Sequence, residues 1–406
     1  MAIAEFELTY TDQEEAVWDT VHRFADEVMR PAGAQLDRLD PEQVIAPDSV
    51  LWTVFRKYQD LGFEELDSNP ELHPLVRARL KYLIYEEMGW GDAGLAISLA
   101  VSDFHRTLVR LFGGPSVTER FCVPGTREIG CWAITEPDHG SDSLALTEPH
   151  FRDPSVRAEC IVRRDGDDLV IRGVKSAWVS NGTIADAAAL FVTIDGDQGF
   201  RGGGVVIVPL DLPGVSRGKP VDKLGQRALN QGEIIFDDVR VPADYLLVGG
   251  PDAYPIILEM VLTVANAAMG CVFTGVARSA YEHALAYAKE RVQGGVPIIN
   301  HQSVKSRLFK MFTSLEAAQA LSRHVMVHNN TQPPLSHYSI ASKTFCTTTA
   351  FQIASEAVQI FGGNGLTREY PVEKLLRDAR ASMIEDGCNE VLSLIGASKL
   401  DSNGTA

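Results

Sequence analysis

The sequence carries its most informative chemistry near the C-terminus, where two acidic residues precede a glycine. Glu385 and Asp386 stand immediately before Gly387, downstream of an amphipathic helical pattern that runs into a Gly-Gly-Asn-Gly turn. Carboxylates are among the side chains that accept protons in general acid–base catalysis. Asp386 and Glu385 are therefore the candidate catalytic residues.

Two segments in the middle of the chain have the residue types that a flat, polar ring system needs. In WAITEPDHGSD, Thr135 and Ser141 offer hydroxyls and Gly140 permits close approach of the backbone. In GVKSAWVSNG, Trp178 offers an indole face, and the hydroxyl of Ser180 can both donate and accept hydrogen bonds. Taken alone, the first segment is also typical of ordinary turns. Trp178 in the second segment could also be a residue of a sheet core.

Two further features lie in the C-terminal part of the chain. Arg291 ends a long helical pattern, and its planar guanidinium fits pyrophosphate. Gln359 lies beside the apolar stripe of a later helix, just before the glycine turn. Taken separately, they are typical of a helix C-terminal cation and an ordinary C-cap.

Together these segments resemble the acyl-CoA dehydrogenase family over nearly the whole chain. Periodicity alone predicts only the order helical, β, helical. The resemblance implies an α+β multidomain fold, with an N-terminal helical domain over 1–125, a central β-barrel domain over 126–248 and a C-terminal four-helix bundle over 249–406. No glycine-rich dinucleotide fingerprint follows a predicted strand, so a Rossmann domain is not expected.

The resemblance also implies an FAD site. It assigns the flavin ring to the two central segments and the adenine and pyrophosphate end to the C-terminal region. The cofactor-binding residues implied in this way are Trp132, Ile134, Thr135, Gly140, Ser141, Trp178, Ser180, Arg291, Gln293, Gln302, Gln359, Gly362, Gly363 and Asn389. Because a neighbouring subunit would supply part of this site, the resemblance implies a homodimer or homotetramer.

Two positions depart from the family pattern and bear on the reaction. Asp386 stands where the family usually has a glutamate base, and its side chain is one methylene shorter. The alternative base position on the first C-terminal helix reads Ala265, followed by Asn266. Asp386 is the favoured base; Glu385, or a reaction without a carboxylate base, stays open. The implied substrate-binding residues are Ser141, Ala265, Asn266, Asp386 and Gly387.

Three classes of function remain in play. The first is α,β-desaturation of an acyl thioester, with electrons passed to an electron-transferring flavoprotein. The second is an oxidase or monooxygenase that uses O2, and the third is an accessory flavoprotein subunit without catalysis. Small residues at 265, 267, 268 and 270 suit a branched or cyclic acyl group. Coenzyme A and acyl-carrier protein both remain possible carriers.

Composition excludes several partners. With 37 basic against 54 acidic residues, the net charge of −17 disfavours nucleic acid and acidic membrane surfaces. Six cysteines without metal-ligand spacing argue against a metal site and fit a reducing compartment. No signal peptide is predicted, so a cytoplasmic location is expected. The uncharged stretch over 260–277 just reaches the length of a membrane span, but its Ala, Gly and Thr content favours a buried core helix.

Overall fold

The computed structural model describes residues 10–402, apart from 64–65, 67–68, 70 and 195. The predicted order of helices, strands and helices is confirmed. The helices before the sheet are α1 (Asp12–Phe24), α2 (Arg30–Leu36), α3 (Pro41–Val44), α4 (Val50–Gln59), α5 (Pro74–Gly91), α6 (Ala93–Ser102), α7 (Phe104–Phe112) and α8 (Pro115–Phe121).

The start of α1 follows the sequence, but its end does not. Thr11 and Glu14 form a reciprocal capping box, which satisfies backbone donors at the helix start. The sequence predicts that Pro31 ends this helix, and that prediction is wrong. A π-helical turn, Ala25–Met29, joins α1 to α2. The chain therefore stays helical through Pro31, which lies in α2 just after this turn.

The central strands form one mixed sheet. They are β1 (Gly130–Ala133), β2 (Ile161–Asp165), β3 (Asp168–Lys175), β4 (Ala187–Thr193), β5 (Gly203–Pro209), β6 (Val215–Arg217), β7 (Ile234–Pro242) and β8 (Leu246–Gly249). Their order is β6-β7-β3-β2-β4-β5-β8, and β1 pairs in parallel with β4. The buried strands β4 and β5 lie in the middle of the hydrophobic core.

The expected β-barrel is a point of correction. Within the described residues β6 and β8 end the sheet and do not pair with each other. Closure needs a consistent stagger between full-length strands, and these two have three and four residues. A bulge lies between Ile171 and Gly173 of β3, just before the segment that carries Trp178.

The boundaries of the three domains, at residues 125/126 and 248/249, stay predictions.

Helices follow the sheet to the end of the described chain. They are α9 (Tyr254–Glu290), α10 (Gln302–Thr331), α11 (Ser336–Phe361), α12 (Val372–Ser382) and α13 (Asn389–Ser402), with a short ribbon of β9 (Val292–Gln293) and β10 (Val296–Pro297) before α10. Helix α9 packs against α5, α10 and α11. It alone among the described helices has the length and apolarity of a membrane span, yet 67% of its most apolar window is buried. It is therefore the predicted core helix.

Glycines on α9 allow its backbone to touch neighbouring helices. A Cβ added at Gly275 would lie 1.9 Å from the carbonyl oxygen of Glu86, on α5. A Cβ at Gly270 would lie 2.2 Å from the Oγ of Ser342, on α11. Ala267 packs in a buried cluster with Tyr82. These small residues thus serve helix packing.

We expect Gly275→Ala to lower the free energy of unfolding by about 1–3 kcal/mol, because the new methyl group meets a backbone carbonyl that cannot rotate away. Gly114→Ala is the matched control, since an added Cβ there meets open space and φ is −71°. It should stay within about 1 kcal/mol of wild type. Denaturant unfolding measures both, and equal stability of the two variants would contradict the packing argument.

Candidate active site

A cavity of about 500 Å³ lies where the loop after β1, the segment after β3, the loop before β7 and the end of α12 meet. These segments are far apart in sequence, and the sheet and α12 bring them together. The cavity is lined by ten residues that the sequence singled out: Trp132, Ile134, Thr135, Gly140, Ser141, Trp178, Ser180, Glu385, Asp386 and Gly387.

One wall of the cavity presents an aromatic face and hydroxyls. The side chain of Trp178 is 56% exposed, so Trp178 is not a residue of the sheet core. Ser180 forms isolated antiparallel β-bridges with Trp132 and with Gln231. The Nε2 of Gln231 also donates to the carbonyl of Trp178 at 3.2 Å. An uncovered indole beside hydroxyls suits a planar, polar ring. His139 lies in the same loop as Gly140 and Ser141. Its Nδ1 is hydrogen-bonded to Asp142 Oδ2 at 2.7 Å, and its ring packs against Phe200.

The loop that carries Asp386 forms another part of the cavity lining. Asp386 and Gly387 follow α12 with φ of +53° and +91°, and a left-handed conformation is costly for an aspartate. Three bonds hold the loop. The backbone N–H of Cys388 donates to Ser141 Oγ at 2.9 Å, and Lys343 Nζ donates to the Gly387 carbonyl at 2.7 Å and to Asn389 Oδ1 at 2.8 Å.

Burial sets the protonation of these groups. It raises the pKa of Asp386 from an ordinary value near 3.8 to about 6, with the charge of Lys343 acting in the opposite direction. Burial, and then the neighbouring Asp386, raise the pKa of Glu385 to about 7. Burial lowers the pKa of Lys343 to about 8. A carboxylate with a pKa near neutrality is suited to accept a proton.

A buried polar network behind the cavity positions its carboxylates. Lys374 Nζ donates to Asp92 and to Asp378, each at 2.6 Å. Asp378 accepts the backbone N–H of Gln226, whose Nε2 donates to Glu385 Oε1 at 2.6 Å. The network therefore joins the N-terminal helices, the loop before β7 and α12. Sequence reasoning missed Gln226, Lys343 and Lys374.

Several predicted residues lie outside this cavity. Arg291, Gln293, Gln302, Gln359, Gly362 and Gly363 are exposed, at one end of the helical bundle. Tyr287, one turn before the end of α9, stacks on Phe361 at 4.0 Å, and Asn364 donates to its hydroxyl at 3.0 Å. These contacts bring the end of α9 next to the glycine turn. Whether these residues bind FAD stays a prediction.

Three other predicted residues also have structural surroundings. Asn389 accepts a hydrogen bond from Lys343 and is not among the residues that line the cavity. Asn266 is buried and donates to the Leu262 carbonyl at 2.8 Å, within its own helix. Neither it nor Ala265 lines the cavity. A role of the small residues of α9 in admitting a wide acyl group stays a prediction.

Family models agree with this architecture. The model for the acyl-CoA dehydrogenase middle domain matches residues 131–239, and that for the C-terminal domain matches 255–400. The chain is 30% identical to a short-chain specific acyl-CoA dehydrogenase of Rattus norvegicus over 388 residues, covering 94% of this chain and 88% of that protein. The chain belongs to the acyl-CoA dehydrogenase family.

Other comparisons cover similarly long stretches. A benzylmalonyl-CoA dehydrogenase of Aromatoleum aromaticum is 30% identical over 402 residues, which is 98% of this chain and all of that protein. The structure of a butyryl-CoA dehydrogenase from Megasphaera elsdenii has a TM-score of 0.83 at 26% identity, covering 97% of this chain and 99% of that one. Acyl-CoA dehydrogenases are FAD-dependent oxidoreductases that act on acyl-CoA, and this chain is an enzyme of that class.

The raised pKa of Asp386 predicts a cost in stability above about pH 6. A carboxyl whose pKa is higher in the folded than in the unfolded state lowers the stability of the protein as pH rises from its ordinary value of 3.8 to its folded value of about 6, and the full cost is present above that. Asp386→Asn should therefore stabilise the protein at about pH 8 by on the order of 1–3 kcal/mol. The gain should shrink towards pH 4.

Asp238→Asn is the matched control for this stability prediction. Asp238 has the same left-handed backbone, with φ of +52°, but lies on the surface beside Arg172. This variant measures how asparagine in a left-handed backbone changes stability when no buried charge is removed. Thermal unfolding at the two pH values measures both variants, and a gain for Asp386→Asn that does not change with pH would contradict the assignment.

Proposed function

We propose that the protein desaturates an acyl thioester between Cα and Cβ, with Asp386 as the base. The observation that supports this most is that one cavity is lined both by Asp386, with a pKa of about 6, and by the exposed indole of Trp178. A proton acceptor and a surface for a planar redox group then flank one space. In such a site, a substrate can lose a proton on one face and a hydride on the other.

The residues of the aromatic wall fit the isoalloxazine ring of FAD. Trp178 would cover one face of the ring, while the hydroxyls of Thr135, Ser141 and Ser180 would meet its polar edge. FAD, when bound, accepts the hydride from Cβ. Ser141 Oγ also accepts the backbone N–H of Cys388, so this hydroxyl would couple the cofactor wall to the loop of the proposed base.

Asp386 would take the α-proton as its carboxylate. Its loop is fixed by Lys343 and Ser141, so the carboxylate needs little reorganisation to reach the substrate. The shorter reach of aspartate requires Cα to lie closer to this loop. The products would be the enoyl thioester, the reduced cofactor and a protonated Asp386, which balances the two electrons and two hydrogens removed.

We further propose a cytoplasmic homo-oligomer, a dimer or tetramer, in which Arg291, Gln293, Gln302, Gln359, Gly362 and Gly363 bind the adenine end of a neighbour's FAD. Their exposure at one end of the bundle supports this role. An electron-transferring flavoprotein is the proposed electron acceptor. Rapid reoxidation of the reduced enzyme by O2, in place of that flavoprotein, would instead indicate an oxidase.

We expect Asp386→Asn to slow flavin reduction by an acyl-CoA by roughly three orders of magnitude or more, because the proton acceptor is lost. FAD content and thioester binding should persist, since the replacement is nearly isosteric. Glu385→Gln should cost far less. Anaerobic stopped-flow bleaching of the flavin measures both rates. A near-wild-type rate in Asp386→Asn would show that the proton goes elsewhere.

We expect Arg291→Ala to lower FAD retention and thermal stability together, because a ligand that binds only the assembled form stabilises it. Lys289→Ala, two residues earlier near the end of α9, is the control for loss of a nearby positive charge. Light scattering and the flavin-to-protein absorbance ratio measure the outcome. A fully flavinated monomer would refute the shared site.

A further inference from the structure

Glu385 is a second carboxylate of the cavity, and proton removal by Asp386 does not use it. Its Oε1 accepts a hydrogen bond from Gln226 Nε2 at 2.6 Å. Gln226 is itself held rigidly, with φ of +49° and with Nε2 also donating to the Asp378 carbonyl at 3.2 Å. The Oε2 of Glu385 has no hydrogen-bond partner among the described residues, although the side chain lines the cavity.

Three charged side chains near Glu385 are bonded to other groups. Lys223 Nζ donates to the Leu229 carbonyl at 2.7 Å and to Gln231 Oε1 at 2.9 Å. Lys343 Nζ donates to the Gly387 carbonyl and to Asn389 Oδ1. Asp222 pairs with Arg227.

Arg380 also lines the cavity, but as an exposed residue of α12 without an ion pair in the described part of the chain. No cation is therefore bonded to Glu385 there. Burial and the neighbouring Asp386 raise the pKa of Glu385, while Gln226, Lys223 and Lys343 offset part of the rise. Of its two oxygens, one is fixed by Gln226 and the other is available to a ligand.

We propose that Glu385 is a specificity-determining residue, which selects acyl groups that carry a hydrogen-bond donor and excludes those that carry a carboxylate. This inference rests on the proposed function, because it concerns the acyl part of a thioester bound at Asp386. A hydroxyl, amide or ammonium group would satisfy the available oxygen. A plain alkyl group would leave that oxygen desolvated and unpaired, and a carboxylate would add a third negative charge beside Asp386 and Glu385.

Three coenzyme A thioesters of equal chain length test this selectivity. Pentanoyl-CoA ends in a methyl group, glutaryl-CoA in a carboxylate, and the monoamide of glutaryl-CoA in a neutral donor of the same shape. Binding is measured by titration calorimetry at about pH 8, with FAD-loaded Asp386→Asn protein, so that no thioester is turned over. The monoamide should bind roughly tenfold or more tightly than glutaryl-CoA, with pentanoyl-CoA between them.

Two further variants, made in the same Asp386→Asn background, locate the effect. Glu385→Gln keeps an oxygen that can accept from Gln226 but removes the charge, so the preference for the monoamide over glutaryl-CoA should largely disappear. Glu390→Gln is the matched control, because Glu390 is exposed on α13 and does not line the cavity. The preference should survive in that variant.

The outcomes separate this inference from the proposed function. Equal binding of the three thioesters, or a preference that survives Glu385→Gln, would overturn the role of Glu385 and leave the proposed function intact. Failure of all three to bind would overturn the thioester substrate and this inference with it. If Glu385→Gln does not fold, the parent protein decides, since a monoamide that binds no more tightly than glutaryl-CoA refutes the proposal.

Discussion

The buried contact of Lys374 with Asp92 and Asp378 is the interaction on which the candidate site depends. Burial opposes the charge of Lys374, yet the two carboxylates hold its pKa well above the ordinary value. Asp92 also accepts the backbone N–H of Leu95 at the start of α6. Asp378 accepts that of Gln226. One ammonium group therefore fixes the N-terminal helices, the sheet loop and α12 relative to each other, and removing it would leave two buried carboxylates without their cation.

This arrangement has a cost in stability that the chemistry needs. Asp386 sits in a left-handed backbone conformation and in a partly desolvated cavity, and both features destabilise the folded state. The same desolvation brings its pKa close to neutrality. Lys343 counteracts part of this rise and holds the loop through the Gly387 carbonyl. The positive charge of Lys343 thus limits how far the pKa of Asp386, the proposed base, is raised.

Local patterns in the sequence predicted the parts of the site that are contiguous in the chain. The loop residues Thr135 and Ser141, the Trp178 segment and Asp386 each had a recognisable neighbourhood, and the fold brings them to one cavity. That the sheet stays open between β6 and β8 could not be predicted from strand periodicity, because closure depends on strand length and stagger. The predicted helix end at Pro31 was wrong because the sequence has no pattern that indicates the π-helical turn before it.

The supporting residues were harder to predict because their partners are distant in sequence. Gln226 and Glu385 are separated by more than 150 residues, and only the fold makes them neighbours. Lys343 did leave a signal. It occupies the buried face of α11, three residues after Ile340 and four before Thr347, where a lysine needs a specific partner. The close contacts of Gly270 and Gly275 on α9 could not be predicted either, because one helix alone does not show which neighbours it meets.

The pH dependence of single-turnover flavin reduction tests the central claim, that burial tunes Asp386 as the base, most directly. Anaerobic bleaching by an acyl-CoA should be slow at about pH 5, rise through a midpoint near the pKa of about 6, and reach a plateau above it, because the base must be ionised. Tight thioester binding would move the midpoint further up by desolvation. A rate that does not change between about pH 5 and 8, in protein that retains FAD, would contradict the account.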